Sequence, residues 1–239
     1  MLIVFVDAFH LSAHKCVSQR KKAFKSFRKS IPHSSIVYTE SSIKNANKCY
    51  TSFITGSDQV WHPGVFRQCY SLLFSSRPKF SYAASMAVDK IDSVTAKAYE
   101  QALTDYKMIS VRERNAQRLL SFNNSVQLVL DPVFLLTKDE WNRIASSRLI
   151  KEKYCFTYFL GDSISARREA QKCAHSKSLK IVNIPYLSNS YRKCDWKYGD
   201  YAISNVGPSD FLSLILNAEC VFTDSFHAIC LSFIFNKDF

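Results

Sequence analysis

Cys220-Val221-Phe222-Thr223-Asp224-Ser225-Phe226-His227-Ala228-Ile229-Cys230-Leu231-Ser232-Phe233-Ile234-Phe235 decides the fold class of this chain. Cys220 to Thr223 reads as a buried strand and Asp224-Ser225 as a tight turn. Phe226 to Phe235 reads as a helix, apolar nearly all round, which expects neighbours on all sides. A strand passing through a short turn into a helix is the repeating step of a parallel α/β sheet. His227 falls in the first turn of that helix, where backbone N–H groups and the helix dipole attract anions. A core histidine held by one hydrogen bond is the plainer account of the same pattern.

The same alternation runs through the rest of the chain. Cys49–Thr55, Lys79–Ala84, Met108–Val111 and Gln127–Leu130 read as strands, and Ser93–Tyr106, Glu113–Ser121 and Asp139–Ala145 as helices. A second series follows, with strands at Tyr154–Leu160 and Leu179–Ile184 and helices at Ala166–Ser176 and Ser209–Asn217. The polar stretch over 146–153 places a boundary there and gives two halves, 1–148 and 149–239. Leu187–Asp200 reads as a long loop rich in Tyr, Asn and charge, of the kind that carries function or disorder.

With 239 residues, the chain has room for one large domain or two modest ones. Its 47% hydrophobic and 22% charged residues are those of a soluble globular protein. The net charge of +12 suits nucleic acid, an anionic membrane surface or a phosphorylated small substrate. The densest basic cluster is Arg20-Lys21-Lys22 with Lys25, Arg28 and Lys29, interleaved at helical spacing with Phe24, Phe27 and Ile31. It reads first as an amphipathic helix with a solvated basic face, and second as a peripheral membrane contact. Nucleic acid comes last, because no zinc finger, RNA-recognition motif or basic zipper is present. The eight cysteines form no C-x-x-C pair, and Cys155, Cys220 and Cys230 lie in apolar runs. No metal site or disulfide framework is indicated, and a reducing cytoplasm fits best, with a peripheral position at the inner face of the membrane left open. Met1–Val6 is short, lacks a basic flank and is followed by Asp7, unlike a signal peptide. No uncharged apolar run reaches the ~18 residues of a membrane span.

With five glycines and neither G-x-G-x-x-G nor a Walker A loop, the chain carries no standard dinucleotide or P-loop signature. Three strand ends carry polar groups where α/β sheets bind ligands: Gly56-Ser57-Asp58-Gln59, Ser110-Val111-Arg112-Glu113 and Thr223 to His227. Arg112 can grip a carboxylate or phosphate through two parallel hydrogen bonds, or form a salt bridge to a nearby acid. Asp58 suits catalysis and a helix N-cap equally well.

Read together, these stretches resemble the polysaccharide pyruvyl transferase family. The matching text is Phe53-Ile54-Thr55-Gly56-Ser57-Asp58-Gln59-Val60-Trp61, Phe80-Ser81-Tyr82-Ala83-Ala84-Ser85, Ile109-Ser110-Val111-Arg112-Glu113 and Val129-Leu130-Asp131-Pro132. It continues with Val206-Gly207-Pro208 and Phe211, then Thr223-Asp224-Ser225-Phe226-His227 and Phe235-Asn236-Lys237. Order and spacing agree over residues 24–239, while residues 1–15 carry no matching stretch. The resemblance implies a GT-B-like fold of two Rossmann-like halves with parallel sheets. It implies transfer of the enolpyruvyl group of phosphoenolpyruvate, as donor substrate, to two hydroxyls of a sugar or lipid-linked oligosaccharide, with no metal or further cofactor. It points to Arg112, Ser225 and His227 for binding the donor. His227, Asp58 and Asp224 would move protons or stabilise the cation that develops. A GT-B glycosyltransferase using a nucleotide sugar is the alternative, and an inactive member of the family is another. The family's usual opening strand is missing, Ala228 stands where glycine is usual and Asp238 where proline is usual. The chain therefore reads as a copy shortened at both ends.

Overall fold

A computed structural model describes residues 2–67, 69–122, 125–186 and 192–239, with side chains of the first helix described from residue 16. The first five residues of the long loop expected over Leu187–Asp200 lie outside the described residues. Two compact units emerge, one formed by Met1–His33 and Leu136–Phe239, the other by Ser34–Leu135. The division thus falls ahead of the polar stretch at 146–153 that marks a boundary in the sequence.

The long helix α1 (Leu2–Ser30) opens the first unit. The second unit holds β1 (Phe53–Thr55), β2 (Lys79–Ser81), helix α2 (Ser93–Leu103), β3 (Tyr106–Met108), β4 (Ser110–Val111), helix α3 (Arg114–Leu119) and β5 (Gln127–Leu128). All its strand pairs are parallel, in the orders β1-β2-β3 and β4-β5, and a bridge from Ala84 to Val111 connects the two sets. A register shift at Lys79/Phe80 breaks the regular ladder between β2 and β3. Two buried serines span the irregularity: Ser110 N donates to Ser81 Oγ at 2.9 Å, and Ser110 Oγ donates to the Ser81 carbonyl at 2.9 Å. Hydroxyls thus satisfy backbone groups that the ladder misses, as burial requires.

Helix α2 starts at Asp92, whose carboxylate accepts from Thr95 N at 2.8 Å. Around it gather Trp61, Met86, Tyr99, Leu103, Tyr106, Ile109 and Val111, the core of this unit. The buried aromatics place their polar tips on carbonyls, Trp61 Nε1 on Tyr70 at 3.2 Å and Tyr106 Oη on Ser71 at 3.0 Å.

The other unit continues with α4 (Lys138–Ile144), β6 (Tyr154–Tyr158), α5 (Ile164–Ser176), β7 (Lys180–Asn183), β8 (Tyr201–Ala202), α6 (Pro208–Leu216), β9 (Cys220–Thr223) and α7 (Phe226–Ile234). The capping box Thr137-x-x-Glu140 starts α4. Helix α4 packs on α6, and Ser146 N donates to the Ser209 carbonyl at 3.0 Å, which ties residues ahead of 148 into this unit. Helix α1 joins it as well: it contacts α6, and Arg20 Nε donates to the Ser204 carbonyl at 3.0 Å. Helix α7 buries Ala228, Cys230, Leu231 and Ser232 and leaves Phe226, Ile229 and Phe233 exposed.

The sheet of this unit is wholly parallel with the order β8-β7-β6-β9. The chain therefore steps outward from β6 through β7 to β8, then returns to lay β9 on the other side of β6. That reversal is the arrangement of a Rossmann-like half, and open α/β sheets bind ligands at the strand ends beside it. The α/β reading with parallel sheets thus holds in both units. β8 is a strand absent from the sequence reading, because its two residues are too few to show a period.

A testable consequence lies at Gly56. A Cβ there would sit 1.9 Å from the backbone oxygen of Tyr82, which is too close for any contact. The constraint is space, since the positive φ of this loop falls on Ser57 and Gln59. Gly56→Ala should destabilise the protein by about 1–3 kcal/mol, the usual cost of overpacking. Urea unfolding checks this, and an unchanged midpoint would disprove it.

Candidate active site

The ends of β6 and β9 meet at the crossover. Thr223 Oγ1 donates to the Tyr158 carbonyl at 2.5 Å and accepts from Ser225 N at 3.0 Å, shaping the turn after β9. Ser225 is buried and caps α7, its Oγ accepting from Ala228 N at 3.5 Å. Asp224, between them, turns its carboxylate onto the loop after β6, accepting from Leu160 N at 2.6 Å and Gly161 N at 2.7 Å. Gly161 leaves room for this, since a Cβ on it would lie 2.8 Å from Asp224 Oδ2. His227 follows in the first turn of α7, half-buried, its ring edge-on to Phe226 at 5.2 Å. Asp224, Ser225 and His227 are therefore brought to one strand end, as the sequence expects.

Under the same loop lies a cluster that sequence reading missed. Arg167 of α5 and Asp195 are both buried and pair at 2.6 Å. Arg167 also donates to the Gly161 carbonyl at 3.2 Å and stacks over Phe159 at 4.8 Å. Arg192 holds the other Asp195 oxygen at 2.9 Å and reaches the carbonyls of Leu160 and Phe159 at 2.7 and 2.9 Å. Two arginines and one aspartate thus fasten the β6 loop from below. Burial pushes the nearby Tyr198 phenol up to about 12. Arg167 and Asp195 are far apart in sequence and sit in no motif, so only the folded chain shows them as a pair.

The second unit holds Arg112 and Asp58. Arg112 leaves β4 with its side chain 9% exposed and sits in a ring of carboxylates. Its Nη1 meets Asp131 Oδ2 at 2.6 Å, its Nη2 meets Asp58 Oδ1 at 2.6 Å, and its Nε meets Glu113 Oε1 at 3.4 Å. Burial by itself would lower the Arg112 pKa, but the hydrogen bonds and charges of Asp131 and Asp58 outweigh it and raise it. Asp131 is 2% exposed and also accepts from Val133 N at 3.0 Å and Ser57 Oγ at 3.2 Å. Asp58 is 55% exposed and does not cap a helix. Glu113 holds the segment that follows β2 through Ser85 Oγ and Met86 N. Four non-glycine residues at these strand ends adopt positive φ: Ser57, Gln59, Ala83 and Ala87. Such backbone strain gathers at functional sites. Asp131 had a signal in the sequence, an acid closing an apolar run before Pro132, but its link to Arg112 had none.

Chemically, the first cluster offers an imidazole and a helix N-terminus beside a loop already occupied by a carboxylate. The second offers a guanidinium with one buried and one exposed acid. Asp195→Ala would leave Arg167 and Arg192 without their shared counter-charge. It should cost about 3–5 kcal/mol, as expected when one partner of a buried pair is removed. Exposed Arg168→Ala should stay within about 0.5 kcal/mol. Equal urea midpoints for the two variants would disprove the role given to Asp195.

No curated protein matches the chain. A family model described as polysaccharide pyruvyl transferase matches residues 3–239. The match begins well ahead of the motifs, and so takes in the stretch before residue 16 in which the sequence shows none. With this match over almost its whole length, and with parallel α/β units carrying the motifs at their strand ends, the chain belongs to the polysaccharide pyruvyl transferase family.

Proposed function

We propose that this protein transfers pyruvate from phosphoenolpyruvate to two hydroxyls of a sugar, as a ketal, in the synthesis of a cell-surface polysaccharide. The family supports transfer of this kind. The observation that carries the choice of donor is the Asp224 clamp. Rossmann-like halves cradle the diphosphate of a nucleotide on the amides after the strand at the crossover. Here those amides, Leu160 N and Gly161 N, already hold a carboxylate. A nucleotide diphosphate would find the donors used and a negative charge in their place. A small donor with one phosphate and one carboxylate does not need that loop.

The residues would divide the work as follows. Arg112 grips a donor anion through Nη2 when exposed Asp58 yields its place, while buried Asp131 keeps Nη1 fixed. On the α1–α7 unit, His227 and the helix start capped by Ser225 are suited to proton transfer and to an anion. Once the methylene carbon of the donor has taken a proton, a cation develops at the adjacent carbon and one sugar hydroxyl adds to it, giving up its proton to Asp58. Phosphate then leaves with the electron pair of its C–O bond, and the second hydroxyl closes the ketal. One hydroxyl proton replaces the proton delivered to the new methyl group, and the other departs with phosphate.

Calorimetric titration of the protein with phosphoenolpyruvate should give saturable binding, and a UDP- or GDP-sugar none. Binding of the nucleotide sugar alone would overturn the proposal. Asp58→Asn separates the roles further. It removes the charge that competes for Nη2 and leaves a weaker acceptor, so donor binding should tighten, while turnover falls by about 10²–10⁴-fold, the usual contribution of a general acid or base. Unchanged phosphate release in that variant would remove Asp58 from the mechanism.

A further inference from the structure

We propose that the outer face of α1 is a docking surface for an anionic lipid bilayer. The inner face of the helix is fixed to its own unit. Arg20 donates to the carbonyls of Ser204 and Pro185 at 3.0 and 3.4 Å, and the Cβ of Ala23 lies where a side chain at Gly207 would stand, 3.0 Å away. Cys16, Arg20, Ala23 and Phe27 are all half-buried, one stripe at helical spacing. The opposite face carries Lys21, Lys22, Lys25, Arg28 and Lys29, all exposed. None of the five pairs with a carboxylate among the described residues, and the sequence has no acid between Asp7 and Glu40.

Only part of this charge has an internal explanation. Arg28 and Lys29 in the last turn complement the helix dipole. Lys21, Lys22 and Lys25 lie further in, where that benefit has faded, and the spacings 21–25 and 25–29 set like charges beside each other. A helix that tolerates such repulsion is suited to an anionic partner. Phe24 decides which one. It is 48% exposed, lies one turn from Lys21 and Arg28, and is continued past the end of the helix by Ile31, also 48% exposed. Exposed apolar side chains beside long cations suit a headgroup region, into which Phe24 and Ile31 insert while the lysines reach phosphates. Single-stranded nucleic acid would need several aromatic platforms along a groove, but Phe27 turns towards the protein and leaves Phe24 alone on the outside. No helix of the described residues is long and apolar enough to cross a membrane, so this contact lies on the surface. The inference does not depend on the identity of the donor.

The test is co-sedimentation of the full chain with phosphatidylcholine vesicles, with and without phosphatidylserine, at low and high salt. Binding should require the anionic lipid and fall with salt. The triple change Lys21→Gln, Lys25→Gln, Lys29→Gln should lower the partition coefficient by roughly 100-fold, about fivefold for each cation. All three residues are exposed, so the melting curve should be unaltered. Phe24→Ser should weaken vesicle binding severalfold without changing the charge. Absence of binding to phosphatidylserine vesicles, or equal binding by a triple variant with a native melt, would overturn the proposal. So would tighter binding of an oligothymidylate than of vesicles, with Phe24→Ser without effect, which would assign the face to nucleic acid.

Discussion

One carboxylate holds the candidate site of the α1–α7 unit in place. Asp224 leaves the end of β9 and takes the two amides at the end of β6, at 2.6 and 2.7 Å. Those strands are neighbours only because the chain reverses direction across the sheet after β8. The clamp therefore sits where the strand order reverses, the kind of place at which open α/β sheets bind ligands. Hydrogen bonds to a charged acceptor contribute more than neutral ones, though less where water competes, as at exposed Asp224. Their larger effect is positional. They fix the turn that presents Ser225 as the cap of α7, and with it the first-turn residue His227. Below, the Arg167–Asp195–Arg192 cluster holds the same β6 loop through its carbonyls. The amides of Leu160 and Gly161 and the carbonyls of Phe159, Leu160 and Gly161 are thus all engaged within the chain.

The Ser34–Leu135 unit uses the opposite strategy. Its charge is concentrated in a cation, Arg112, surrounded by Asp58, Asp131 and Glu113. Burying a guanidinium costs several kcal/mol unless it is paired and hydrogen-bonded. Asp131 meets that need from inside, through a carboxylate that is itself held by Val133 N and Ser57 Oγ. Asp58 meets it from the solvent side. The positive φ values at Ser57 and Gln59 are the cost of bringing Asp58 to that position from the end of β1. Gly56 makes the turn feasible by letting the chain pass against the Tyr82 carbonyl.

Much of this organisation was legible in the sequence, because it is written locally. Apolar runs ending in polar turns gave nearly every strand and helix, since burial in a parallel sheet demands continuous apolar segments. Boundaries moved by a few residues: Cys49–Thr55 shortened to Phe53–Thr55, and Tyr106 passed from the end of a helix to the start of β3. β8 left no pattern to read, and the division of the chain into units followed helix packing on α6 instead of the polar stretch at 146–153. The stretch Thr223 to His227 was visible as a site because a turn into an apolar helix is a local event.

The sequence by itself determined the parallel α/β class, the strand ends that carry polar groups, and the basic face of α1. Each follows from spacing along a few turns or a few residues. Only the tertiary structure decided what those polar groups do to one another. That Asp224 holds the loop after β6, that Arg112 is shared by Asp58 and Asp131, and that Arg167 pairs with Asp195 depend on which strands lie side by side. Such contacts join residues tens of positions apart, and hydrophobic periodicity carries no information about pairing at that range.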